Sequence, residues 1–140
     1  MGASKSDSLR SIDLFADLPA AELERLTSVA VVKTYEPGET LFFEGEKCAG
    51  IWLVVEGAVK IVKTTPQGRQ VMLAMQAAPA TVAEVPVFDG GPYPASVSAV
   101  VPTSALLVLK DDFLATCRRC PDVGLRFLMV FGRRLRHLVG

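Results

Sequence analysis

From Val29 to Leu109 the chain is a succession of short apolar runs, rich in β-branched and aromatic residues, cut apart by turn signals. That punctuation excludes an all-helical fold, because the runs are too short and too often broken to hold a helical period. Val29–Tyr35 is the first run. Glu36-Pro37-Gly38-Glu39 follows, with Pro and Gly where a type II turn needs them. Then come Thr40–Phe43, a turn at Gly45, Ile51–Val55, the Glu56-Gly57 break, Ala58–Lys63, the Thr65-Pro66-Gln67-Gly68 turn and Arg69–Met75. After an irregular stretch, Ala95–Val101 and Ala105–Leu109 complete the set. About seven short strands at regular spacing predict a β-sandwich or barrel.

Both flanks read as helical. Leu9–Leu18 is a short helical piece, and Pro19 stands at the first position of a second helix, AAELERLTSVA, with Leu23 and Leu26 on one face. Asp111-Asp112 can cap a helix that runs to about Arg119. Pro121 and Asp122 open a longer one, in which Phe127, Leu128, Phe131, Leu135 and Leu138 keep a helical spacing suited to a helix–helix seam. Residues 1–8 read as a loose terminus or cloning remnant, 9–120 as the barrel with its leading helices, and 121–140 as the start of a further helix. That last helix has no stop signal before Gly140, so it is expected either to be cut short or to end in a partner.

A chain of 140 residues, half of them apolar, fits one domain that buries roughly two-thirds of its unfolded surface. Formal net charge is zero, which argues against a domain built to coat nucleic acid. The charge is nevertheless uneven: from Lys110 onward seven basic residues face three acidic ones. The three cysteines are Cys48 and a single Cys117-x-x-Cys120 with no second pair, so structural thiols are the simpler reading than a redox or metal pair. With no secretory segment and no apolar run near the ~20 residues of a membrane span, a cytoplasmic protein is expected. No Ser/His/Asp set and no metal-ligand spacing points to catalysis, so the expectation is a non-enzyme.

Several spaced motifs agree in order with one family. LFADLPAAELERL resembles its leading helices, and YEPGETLFFEGEKCAGIWLVVEGAVKIVKTTPQGRQVML its strand block, with the G-E-x-x-F-x-E-G turn and the E-G-x-V-K hairpin. VAEVPVFDGGPYPASVSAV lies where that family places a phosphate-binding cassette, and FLATCRRCPDVGLRFLMVFGRRLRHL resembles the two helices that follow. From about Leu9 to Leu138 the chain is thus similar to the effector domain of CRP/FNR-type bacterial transcription regulators and to the wider cyclic-nucleotide-binding fold. The resemblance implies a mainly β, jelly-roll-like barrel (a double-stranded β-helix) with flanking helices, and a small effector in the barrel. It also implies a homodimer through the last helix (Phe127, Leu128, Phe131, Leu135 and Leu138), DNA contact only through a domain absent from this chain, and no membrane role.

Burying a cyclic phosphate needs amide donors, a cation and an acceptor for the ribose hydroxyl. In the family a Gly-Glu pair and a Pro-Arg-x-Ala-Thr segment supply them. By that resemblance Ala83 stands for the Gly, Glu84 and Ala95 are kept, Ser96 stands for the Thr, and Tyr93 stands for the Arg. A tyrosine offers one neutral hydroxyl in place of a bidentate cation. Losing that partner costs on the order of 2–5 kcal/mol, roughly 30- to several-thousand-fold in affinity. The implied effector pocket is Ala83, Glu84, Val85, Tyr93, Pro94, Ala95 and Ser96, with Val71 and Leu73, and cyclic AMP is not expected to bind in the usual way.

The pattern V-A-E-x-x-x-F-x-x-x-P-Y-x-A is similar to the nitric-oxide-responsive, DNR-like and HcpR-like branch, which implies haem as one cofactor to consider and a cyclic nucleotide as the other. Haem would need a ligand. His137 is the single histidine, and Cys48, Cys117, Cys120, Met72, Met75 and Tyr93 are the other conceivable ligands, none of them in a haem motif. His137 reads more simply as a surface residue of the last helix than as a ligand; Glu84 reads equally as a local cap or ion-pair partner, and Tyr93 as a pocket-lining residue ahead of a turn residue packed on the barrel. A cyclic-nucleotide site compensated elsewhere, or a ligand-free dimerisation module, stand as alternatives.

Overall fold

A computed structural model describes residues 5–139, apart from the side chains of Ser6, Asp13, Leu138 and Val139. Two four-stranded antiparallel sheets pack face to face. The first is ordered β1 (Val31–Tyr35), β8 (Thr103–Leu109), β3 (Gly50–Glu56), β6 (Ala80–Val82). The second is ordered β2 (Thr40–Phe42), β7 (Ser96–Ala99), β4 (Ala58–Thr64), β5 (Gln70–Ala77). This crossed order is the expected jelly-roll-like barrel.

Turn chemistry sets the strand ends. Gly38 has φ +90°, and the Glu39 N–H bonds the Glu36 carbonyl at 3.0 Å, closing the predicted turn. Gly57 has φ +92°, and a Cβ there would lie 2.5 Å from the Pro102 carbonyl oxygen, so the β3–β4 turn admits only glycine. β6 was not expected: three residues of Ala-Thr-Val carry no strand pattern of their own and pair only because β3 offers Trp52–Val54 as a partner.

The first sheet is covered on both faces along its central strands β8 and β3, whereas the edge strand β1 is largely exposed. Barrel side chains lie on one face, and α1 (Lys5–Arg10), α2 (Ala20–Val29) and α4 (Lys110–Arg119) pack on the other. Hence Ile51, Trp52, Leu53 and Val54 are buried in succession and do not alternate. α1 begins at Lys5, whose ammonium bonds the Thr27 and Ala30 carbonyls, so residues 5–8 of the expected loose terminus are helical; residues 1–4 lie outside the described residues. α2 carries buried Leu23 and Leu26, and Pro19 precedes its first residue. α4 begins at Lys110, one residue before the predicted cap, and α5 (Pro121–Val139) follows after Cys120. Among the described residues no helix is long and apolar enough to cross a membrane.

Candidate functional site

Between β6 and β7 the chain forms a short helix, α3 (Glu84–Asp89), bounded by two left-handed residues, Ala83 (φ +67°) and Gly90 (φ +78°). Ala83 is the non-glycine residue among the described ones that holds a positive φ, and it stands at the mouth of a cavity of about 160 Å³ inside the barrel. Val85 and Pro86 of α3, Pro94 and Ala95 before β7, Val97 of β7 and Ile61 of β4 line it, with Gln76, Thr81, Glu84 and Arg134 as its polar groups.

Glu84 is the chemical centre. Its side chain is 7% exposed and pairs with the Arg134 guanidinium, which reaches it from α5, fifty positions along the chain. A carboxylate this buried needs such a partner to offset the cost of taking its charge out of water. The cation absent from the cassette is therefore supplied by α5, from a tail that the sequence presents as a solvated basic face.

Ala83, Glu84, Val85, Pro94 and Ala95 lie at the cavity as the sequence implies. Four other expected pocket residues do not. Tyr93 is 2% exposed and turned into the core: its ring stacks on Phe42 at 3.9 Å. The Tyr93 hydroxyl accepts from the Ala49 N–H at 3.0 Å and the Trp52 indole N–H at 3.1 Å. Burial is the main cause that raises the Tyr93 pKa, so the phenol stays neutral. Ser96 lies between Ala95 and Val97, which face the cavity, so strand alternation turns it away; its hydroxyl accepts from the Glu44 N–H at 2.8 Å. Val71 and Leu73 are exposed on β5, far along the hairpin from Gln76, and the β4–β5 register steps past Leu73 at a bulge.

Reasoning from sequence missed Arg134, Gln76, Thr81 and Val97. Val97 was within reach, two residues from Ala95 on the same strand face. Nothing local marks Arg134.

The last helix divides the expected dimer residues. Phe127 is 1% exposed and belongs to the core, in edge contact with Phe113 at 5.2 Å, and Phe131 is half-buried beside Phe88 and Phe127. Leu128 and Leu135 are 65% and 62% exposed, and Leu125 and Met129 extend the apolar face; the Leu138 side chain lies outside the described residues.

Haem does not fit the barrel cavity. The cavity is lined by no His, Cys or Met, and His137 is exposed on α5. Burial pushes the Cys117 thiol up to about 11 and raises Cys48 as well, which disfavours the thiolates an iron would need. Among the described residues no group of three or more His, Cys, Asp or Glu could hold a metal ion.

A two-sheet jelly roll with a short helix over its cavity and a long helix leaving it defines the class of jelly-roll barrel domains with flanking helices. Residues 32–120 match the family model "Cyclic nucleotide-binding domain", and the chain belongs to that family. It is 29% identical over 128 residues to the cyclic AMP receptor protein of Thermus thermophilus, covering 91% of this chain and 59% of that protein. The chain thus spans less than two-thirds of the length of the curated relatives it matches. Among solved structures, the sensor domain of the transcriptional regulator DNR from Pseudomonas aeruginosa is 26% identical with a TM-score of 0.86, covering 96% of this chain and 90% of that one. The N-terminal domain of a transcriptional regulator from Streptomyces coelicolor A3(2) is 32% identical with a TM-score of 0.73, covering 94% and 92%.

Proposed function

We propose that this chain is the effector-sensing domain of a CRP/FNR-type transcription regulator. A small ligand enters the barrel cavity, and α5 carries the signal toward a partner protomer and a separate DNA-binding domain. The Glu84–Arg134 pair carries the reading, because it ties the one buried charged group at the cavity directly to α5. A ligand that touches this pair changes what holds the helix, which is the differential interaction that a population shift requires.

The effector is not cyclic AMP held by a cassette arginine. Tyr93 occupies that position with its hydroxyl committed to Ala49 and Trp52, and Arg134, the cation at the cavity, is engaged by Glu84. Calorimetry with cyclic AMP and cyclic GMP should show no saturation in the micromolar range; a micromolar dissociation constant for either overturns this part of the reading. Haem is tested by reconstitution, and the cavity lining supports no Soret band that depends on the barrel. Homodimerisation is supported by the exposed face of α5, where Leu128 and Leu135 lie two helical turns apart with Gly132 between them.

A further inference from the structure

The Glu84–Arg134 pair stands between two spaces. On one side is the barrel cavity of about 160 Å³. On the other is a cleft of about 460 Å³, walled by Ser11, Ile12 and Leu14, by the turn between β5 and β6, and by Val130 on α5. Gln76, Thr81, Glu84 and Arg134 line both, so these four side chains form one polar partition. The inner space is bounded by Phe42, Ile61, Val82 and Val97, and falls below the roughly 300–1,000 Å³ of sites that enclose a whole ligand.

The chemistry of the partition restricts what can open it. Arg134 is half-exposed, so water can take up its released charge, whereas the Glu84 side chain is 7% exposed. A simple anion that captured Arg134 would leave the Glu84 carboxylate buried and uncompensated. A simple cation or neutral donor at Glu84 would forgo the guanidinium. A molecule with an acid and a hydrogen-bond donor on neighbouring atoms satisfies both ends, and Gln76 and Thr81 can complete its hydrogen bonds.

We infer that the barrel cavity and the outer cleft are two compartments of one site, and that its ligand is a small α-hydroxy or α-amino acid with a branched apolar tail. The carboxylate takes Arg134, the α-substituent donates to Glu84, and the tail fills the inner compartment. This rests on the effector-cavity reading above.

Calorimetric titration of the whole chain tests it, with 2-hydroxy-4-methylpentanoate and L-leucine as probes and 4-methylpentanoate, which lacks the donor, as the contrast. One of the first two should saturate with a dissociation constant below about 1 mM, with 4-methylpentanoate at least about ten-fold weaker. Arg134→Gln and Glu84→Gln should each weaken binding about ten-fold or more while leaving the circular dichroism spectrum unchanged. No saturation by either probe at about 10 mM overturns the inference, as do equal binding of 4-methylpentanoate and indifference to Arg134→Gln. Ala95→Leu, which narrows the inner compartment, separates this failure from that of the cavity reading. If cyclic AMP binds the native chain and is lost in Ala95→Leu, the effector cavity stands and the hydroxy- or amino-acid assignment falls. If a ligand binds both proteins equally, the cavity reading falls with it.

Discussion

Removing one oxygen, Tyr93→Phe, isolates what the tyrosine does. The ring keeps its stack on Phe42, so packing is conserved. The hydroxyl accepts from the Ala49 N–H at 3.0 Å and the buried Trp52 indole at 3.1 Å, and donates to the Gly50 carbonyl at 3.3 Å. Without it the Trp52 N–H has no acceptor in a buried site, at a cost of about 1–3 kcal/mol, and the half-buried Ala49 N–H adds about 1 kcal/mol more. We therefore expect a loss of about 2–4 kcal/mol, a large share of the ~5–15 kcal/mol that holds a domain together. At roughly 3–4 °C per kcal/mol for a chain of this size, the midpoint of thermal unfolding should fall by about 6–16 °C. Urea unfolding should be followed both by the fluorescence of Trp52, the single tryptophan, and by far-ultraviolet circular dichroism, because the substitution changes the indole's own surroundings. The two curves should coincide at a lower midpoint with the slope unchanged. A loss below about 0.5 kcal/mol would refute the reasoning, since that is what exposed hydroxyls cost.

Ala83→Gly should leave stability unchanged or raise it by up to about 1 kcal/mol, because relief of a left-handed alanine slightly exceeds the extra unfolded-state entropy of glycine; a loss above about 1 kcal/mol in chemical denaturation would show that the Ala83 methyl group is needed. With its pKa pushed up to about 11, Cys117 should resist iodoacetamide at pH 7–8 and be modified more slowly than Cys120, as read by mass spectrometry of the peptides. The same shift makes Cys117 favour the folded state below about pH 9, its unfolded value, with that contribution lost as pH rises from about 9 through about 11; rapid labelling of Cys117 at neutral pH would contradict both statements. Leu128→Arg should weaken self-association by about two to four orders of magnitude in sedimentation equilibrium, since a symmetric interface loses the side chain twice, at about 1.5–3 kcal/mol each; an unchanged dimer constant would place the interface elsewhere.

The barrel was legible because its turns are made by residue type. Gly38 and Gly57 need positive φ, and that requirement is visible in a string of letters. The short helix after β6 was legible through its motif, and Ala83, Glu84, Val85, Pro94 and Ala95, singled out by that motif, line one cavity. What was not legible depends on orientation. Tyr93 follows the family's order of residues yet turns inward, because an aromatic ring gains more from stacking on Phe42 and satisfying Trp52 than from facing the cavity. Phe127 and Leu128 are adjacent apolar residues about 100° apart on a helix, and periodicity cannot say which of the two faces the barrel. β6 exists only as a partner for β3, a tertiary cause with no local trace.

Three arginines at near-heptad spacing, Arg119, Arg126 and Arg134, tie the α4–α5 region to different parts of the fold. Arg119 binds Glu22 of α2 at 2.9 Å, Arg126 pairs with Asp17 in the turn before α2, and Arg134 pairs with Glu84 of the cassette. The first two anchors are remote from the barrel cavity; Arg134 alone of the three lines it. On the proposed reading, ligand chemistry at Glu84 would act on the distal part of α5 while its start stays tied to the leading helices. A cation on the cassette itself would bind a ligand without necessarily engaging the helix. A cation on α5 makes ligand recognition and helix position a single equilibrium, so whatever competes for Arg134 is coupled to the exposed Leu128–Leu135 face by the same rigid helix. On that reading a cation on α5, in place of one on the cassette, puts the ligand contact on the transmitting element, and the coupling can be no larger than the ligand's difference in affinity between the paired and unpaired states of Glu84 and Arg134.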